Sequence, residues 1–307
     1  MITSRAPILL ILVMVLSACG ASGDDGASPR ASGEAFPTIV IGTGGGVELE
    51  LLAEVYAQAI EAAGYPVRRE PVSVDTGVLH GRLATRSVDL APGQIAAFLG
   101  VYDEQSSGNA EDDLADLRSA LAEDGLAALE PSRAVRTPGF GVRHELASEL
   151  TIATMSELVS SASDLTWGLP DACSTMAGCG DVLSDGYGID PGELDVESVP
   201  ACDPAAAEAL NEAVVDIALL CTTQPEIERF NLVVLEDDRQ AQPSGAFVPV
   251  INEALLALAG DDLSEALDAV SDVMTTAELT SLVARVSIDG EAIPDVARSW
   301  LEDRGLA

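Results

Sequence analysis

Thr38-Ile-Val-Ile-Gly42, Thr43-Gly-Gly-Gly46 and Val47-Glu-Leu-Glu-Leu-Leu-Ala-Glu-Val-Tyr-Ala-Gln-Ala-Ile-Glu-Ala-Ala63 follow one another without a break. The first piece is β-branched and apolar, the composition of a short buried strand. The second is a glycine turn, free to take the positive φ values a side chain would resist. In the third, Leu51, Leu52, Val55, Tyr56, Ala59 and Ile60 recur at helical spacing, and Gly64 ends the run. Strand, glycine turn and helix in that order are the opening of an α/β unit. The backbone N–H groups of residues 44–47 then sit at a helix N-terminus, a natural seat for a carboxylate or other oxygen. A tight strand-to-helix turn that holds no ligand explains the same residues.

Outward from this stretch the alternation continues. Strands are expected at 67–74, 88–91 and 126–129. Helices are expected from Asp75 or Thr76 to about residue 86, at 94–102 and at 114–123. An alternating pattern of this kind predicts a mostly parallel sheet. Residues 132–142 contain Pro and Gly and no helical period, and read as a crossing to a second unit. There Thr154 and Glu157 form a capping box ahead of Leu158. Strands are expected at 165–169, 195–199, 214–220 and 232–235, with a helix at 203–211. Residues 240–250, with Pro243, Gly245 and Pro249, read as the return crossing, and helices dominate from Ile251 onward. Two α/β units joined by two crossings predict a cleft between hinged lobes, with the tail packed on the first lobe.

Before the body, Arg5 precedes the apolar run Pro7-Ile-Leu-Leu-Ile-Leu-Val-Met-Val-Leu16, then Ser17-Ala-Cys19. A charged start, a short apolar core and small residues before a cut site make an export signal. Leu16-Ser17-Ala18-Cys19 resembles the bacterial lipobox, which implies acylation of Cys19 and a lipid anchor on the outer face of the cell membrane. A plain signal peptide with a chance cysteine is the alternative. Residues 20–35 are mostly Gly, Ser, Ala and Asp without period, the composition of a tether. The expected organisation is a signal at 1–18, a tether at 19–36, lobe I at 37–138 plus 246–307, and lobe II at 139–245.

Fifteen basic residues stand against 51 acidic ones, and every basic residue is Arg. Such a surface disfavours nucleic acid and anionic lipid, which both require cationic patches. The absence of Lys excludes a Walker phosphate loop and a Ser–Lys hydrolase. No nucleophile–base set is visible, so no enzymatic activity is expected. His80 and His144 have no metal-spaced partners and read as surface residues; neither a metal nor a cofactor is expected. Beyond Cys19, Cys173, Cys179, Cys202 and Cys221 are an even number in an exported chain. Two disulfides are expected, preferably Cys173–Cys179 and Cys202–Cys221. A four-cysteine zinc site is the rival, though its usual close Cys pairs are missing.

Several stretches resemble the osmoprotectant-type binding proteins of ABC importers, the glycine betaine, carnitine and choline binders. They are Ile39-Val-Ile-Gly42, Leu51 through Tyr65, Val88-Asp-Leu-Ala-Pro92, Val214-Val-Asp-Ile-Ala-Leu-Leu-Cys-Thr-Thr223 and Leu232-Val-Val-Leu-Glu-Asp-Asp238. Phe247-Val-Pro-Val250, Leu282-Val-Ala-Arg-Val286, Asp289-Gly-Glu291 and Val296-Ala-Arg-Ser-Trp-Leu301 add to them. The resemblance spans residues 38–305. It implies a two-lobed, periplasmic-binding-protein-like α/β fold of type II, with a central cleft and two crossing segments. It also implies a monomer that captures a small polar solute and hands it to a membrane permease.

By alignment with the family, ligand contacts would fall on Thr43, Gly44, Gly45 and Gln94 from lobe I. Asp171, Thr222 and Thr223 would face them from lobe II, with Thr137 and Gly245 on the crossings. The family holds quaternary ammonium groups between aromatic faces. This chain has Ala91-Pro-Gly-Gln-Ile-Ala96, Cys221 and Gly245 where the family carries tyrosines, and Thr43-Gly-Gly-Gly-Val-Glu-Leu49 in place of another ligand segment. A more polar solute, or a cation paired directly by Glu48 or Asp171, is the expectation that follows. A ligand sensor or scaffold on the same fold, with altered specificity, is the alternative to transport.

Overall fold

The computed structural model describes residues 36–72 and 75–307, a single compact body from Phe36 to Ala307. The signal segment, Cys19 and nearly all of the tether lie outside the described residues.

Among the described residues, ten strands form two sheets of five. The first holds β1 (Ile39–Thr43), β2 (Val67–Pro71), β3 (Leu90–Gln94), β4 (Leu126–Ala128) and β10 (Phe247–Asn252), in the order β2-β1-β3-β10-β4. The second holds β5 (Pro138–Arg143), β6 (Thr166–Leu169), β7 (Asp195–Ser198), β8 (Ile217–Cys221) and β9 (Leu232–Val234), in the order β7-β6-β8-β5-β9. Each sheet repeats one plan. Three parallel strands are followed by a strand that enters from a crossing, and that strand runs antiparallel to its neighbours.

Four strands of each sheet run the same way, as the alternation predicts, and the strand from the crossing is the one reversed. Both antiparallel strands overlap stretches that read from sequence as crossings, because their Pro and Gly content resembles a loop. Pro249 shows how proline is accommodated in a central strand. It faces Pro92 of β3 across the ladder. On its other side, where its missing N–H leaves the Leu129 carbonyl without a ladder donor, Arg118 Nη2 donates to that carbonyl at 3.1 Å.

The helix Val47–Ala62 buries Leu51, Leu52, Val55, Tyr56, Ala59 and Ile60, as its spacing predicts. They pack against Leu263, Leu267, Val270, Leu279, Leu282, Val296, Trp300 and Leu301 of the C-terminal helices. The second sheet has its own core around Trp167, Phe140, Met155, Leu183 and Leu219. Thr154 and Glu157 make the capping box: the threonine hydroxyl accepts from Glu157 N at 3.2 Å and the carboxylate accepts from Thr154 N at 3.1 Å. The cysteines pair as Cys173–Cys179 and Cys202–Cys221, and no cluster suited to a metal occurs among the described residues.

Strand ends differ from the sequence reading by a few residues. β2 stops at Pro71, and Ser73 and Val74 lie outside the described residues. β3 runs on to Gln94 rather than ending at Ala91. His144 is exposed, but His80 is not a free surface residue: its Nε2 lies 2.8 Å from the Tyr102 hydroxyl and 3.0 Å from Asp124 Oδ2.

Candidate functional site

The crossings meet side by side. Val135 and Ala246 form an antiparallel bridge, and Arg136 N donates to Gly245 O at 2.9 Å. A Cβ on Gly245 would lie 2.4 Å from the Arg136 carbonyl, so only glycine fits there. Gln94, at the end of β3, donates from Nε2 to Arg136 O at 2.9 Å. Thr222, just past β8, ties the second sheet to the same place. Its N donates to Thr137 O, its hydroxyl accepts from Thr137 N, and that hydroxyl donates to Val135 O, each at 3.1 Å.

A cleft of about 930 Å³ opens above these crossings. One wall is Gln94, Ala96, Ala97, Gly100, Glu104, Gln105 and Ser106. The opposite wall is Met176, Ala177, Asp181, Asp185, Gly186, Ala201, Cys202, Arg239 and Ala241. Arg136, Pro138, Pro243, Ser244 and Gly245 come from the crossings and the ends next to them. The disulfide ties the Cys202 wall to the end of β8. Ser106 Oγ accepts from Ser244 N at 2.9 Å and so joins the first wall to the return crossing. Arg239 lies over the Tyr187 ring at 5.1 Å and donates to Gly186 O at 2.9 Å. Burial and the Asp237 carboxylate beside it push the Tyr187 phenol up, so it stays a neutral donor.

The nine residues expected to hold a ligand separate into groups. Gln94 and Gly245 line the cleft. Thr137 and Thr222 bind each other at the crossing. Thr223 is fully buried and donates to Glu48 Oε1 at 2.9 Å. Thr43, Gly44 and Gly45 form the turn beside Glu48; a Cβ on Gly44 would stand 2.5 Å from Val72 O. Asp171 is exposed and accepts from the Ser198 hydroxyl at 2.6 Å, away from the cleft lining. Sequence reasoning missed the loop walls at 100–106, 176–186 and 239–243, which carry no motif. It missed Arg136 as well, although a basic residue on a crossing of so acidic a chain is itself a signal.

The aromatic residues lie elsewhere. Phe36 packs edge-on against Tyr65, and Phe140 against Trp167. Tyr56, Phe98 and Phe247 are buried in the cores around the first sheet. Tyr102 meets His80, Phe230 meets Arg229, and Trp300 meets Arg304. Tyr187 lies behind the wall under Arg239. No aromatic side chain is among the cleft-lining residues.

Residues 37–303 match the model of the substrate binding domain of the ABC-type glycine betaine transport system. The chain belongs to this family. A solved structure described as a glycine betaine/carnitine/choline ABC transporter superposes with a TM-score of 0.78 at 19% identity, covering 87% of this chain and 99% of that one. Apo YehZ from Escherichia coli gives 0.73 at 19% identity, over 88% and 99%. Lactococcal OpuAC, closed on glycine betaine, gives 0.57 at 15% identity, over 87% and 96%. At these identities the likeness establishes the two-lobed α/β binding-protein fold. The disulfides and the cleft belong to a member of a solute-binding family, and no helix among the described residues is long and apolar enough to cross a membrane.

Proposed function

We propose that this protein is an extracytoplasmic, monomeric solute-binding lipoprotein of an ABC importer, anchored to the cell membrane through Cys19. Its lobes are 37–138 plus 246–307 and 139–245, and a small polar solute is held between them. The observation that carries this reading is the 930 Å³ cleft, walled from both sides and floored by the paired crossings. A solute touching both walls binds the closed form better than the open one, and that differential affinity sets the population a permease would read. Of the residues expected at the ligand, Gln94 and Gly245 stand on the wall. Thr43, Gly44, Gly45, Thr137, Thr222 and Thr223 act beneath it through Glu48 and the crossing. Asp171 would reach a solute only on closure.

The lining without aromatic faces favours a second reading in one respect: specificity has moved away from caged quaternary ammonium groups, as in a sensor or scaffold on the same fold. Thermal unfolding of the full-length chain against betaines, choline, ectoine, polyols, sugars and amino acids tests both. A solute at 100 times its dissociation constant stabilises by about 2.7 kcal/mol. Small-angle scattering then reports closure. A stabilising solute that leaves the shape unchanged would favour the sensor or scaffold; the absence of any stabilising solute would count against solute capture.

A further inference from the structure

Arg136 is tied at both ends of its peptide group and at one side-chain nitrogen. Its N and O are occupied by Gly245 and Gln94. Its Nε donates to Glu48 Oε1 at 3.2 Å, the same oxygen that accepts from Thr223 Oγ1 at 2.9 Å. Glu48 keeps 17% side-chain exposure and Arg136 29%. The two terminal nitrogens of the guanidinium have no hydrogen-bond partner among the described residues, while Arg136 lines the cleft. A planar guanidinium tethered at Nε turns its terminal nitrogens away from that contact, and they form a fork matched to a carboxylate. The walls carry Glu104, Asp181 and Asp185 against Arg136 and Arg239, a small negative surplus that disfavours a solute of net negative charge.

We propose that Glu48, itself fixed by Thr223, is a positioning residue that aims Arg136 into the cleft, where its terminal nitrogens take the carboxylate of a zwitterionic solute. This assignment rests on the solute-binding reading and selects carboxylate-bearing solutes over alcohols of the choline kind. Glu48 comes from the helix Val47–Ala62, Arg136 from a crossing and Thr223 from the end of β8. Loosening Glu48 or Thr223 therefore misaims the fork without removing its charge.

The test is calorimetric titration of the full-length protein with matched probes: glycine betaine against choline, and proline against prolinamide. At least one carboxylate probe is expected to bind about tenfold or more tighter than its partner, the range of a charge-assisted hydrogen bond. Arg136→Gln should abolish that gap. Glu48→Ala should narrow it severalfold without abolishing it, Glu48→Gln less because an acceptor oxygen remains, and Thr223→Val should shift it the same way. The melting temperature of each variant separates misfolding from misaiming. Equal binding within each pair, or preference for the alcohol or amide, overturns the assignment while leaving solute capture standing. A gap that Glu48→Ala leaves unchanged overturns the positioning role. Silence of every probe, with no change in scattering, removes both the assignment and the reading it rests on.

Discussion

Asp113 shows how a single carboxylate can shape the cleft from outside it. It is 1% exposed and accepts from Ser107 N and Ser107 Oγ, each at 2.7 Å, and from the Ser106 hydroxyl. Ser106 in turn receives Ser244 N from the return crossing. Asp113→Ala is expected to cost about 2 kcal/mol, since hydrogen bonds to a charged group disappear and their donors are left to rearrange. Urea unfolding measures the cost. Solute affinity should fall with it, because Ser106 stands on the cleft wall. The tyrosines offer a second prediction. Burial pushes the Tyr56 phenol up to about 12, against its hydrogen bond to Ser271 at 3.0 Å. Burial, with Asp124 and Asp237 respectively, also raises Tyr102 and Tyr187. The fold thus retains protons that the unfolded chain releases near pH 10, so stability is full below that pH and declines as pH rises toward about 12. With no lysine in the chain, tyrosine dominates this window. Urea midpoints should hold steady up to about pH 10 and then drop, and Tyr56→Phe should flatten part of the drop.

At the scale of elements, the two disulfides separate by loop length. Cys202–Cys221 closes a separation of 19 residues and Cys173–Cys179 one of 6. The chain-entropy model gives about 3 kcal/mol for the first and roughly 2 for the second. Replacing Cys202 and Cys221 by Ser should therefore lower the unfolding midpoint more than replacing Cys173 and Cys179. It should also weaken solute binding, because Cys202 is part of the wall. These bridges were legible in sequence, as were the helix Val47–Ala62 and the Thr154–Glu157 box, because each depends on residues near one another in the chain. Strands β5 and β10 were not, because they are antiparallel insertions whose Pro and Gly are tolerated only through distant partners such as Arg118. The site follows the same division. Gln94 and Gly245 could be placed at the cleft by their position at a strand end and a crossing, whereas the glycine turn lies beside Glu48 and not on the lining. The Ala- and Met-lined walls could not, since small side chains announce nothing until two loops face each other. From sequence Glu48 suggests a direct partner for a ligand cation, yet the fold turns its carboxylate onto Arg136, a pairing of residues 88 apart.

For the whole molecule the dominant feature is charge. Cleavage before Cys19 would remove Arg5 and no acidic residue, leaving 14 arginines against 51 carboxylates. Many of those arginines are already committed to ion pairs, such as Arg69 with Glu54 and Glu61, Arg143 with Asp216, and Arg285 with Glu291. The surplus carboxylates repel one another across the surface, and compaction brings them closer than in the unfolded chain. Screening length shrinks from about 10 Å at 0.1 M salt to about 3 Å at 1 M. The melting temperature should therefore rise with sodium chloride, steeply at first and then level off as the screening length falls below the spacing of neighbouring carboxylates. Exposed ion pairs would weaken over the same range, but each contributes about 1 kcal/mol or less. The net slope should stay positive. A melting temperature that falls with salt would mean that the paired arginines, rather than the excess carboxylates, govern the stability of the body. Choline chloride in place of sodium chloride separates screening from occupancy: at equal ionic strength the two salts should act alike unless the cleft itself takes the cation.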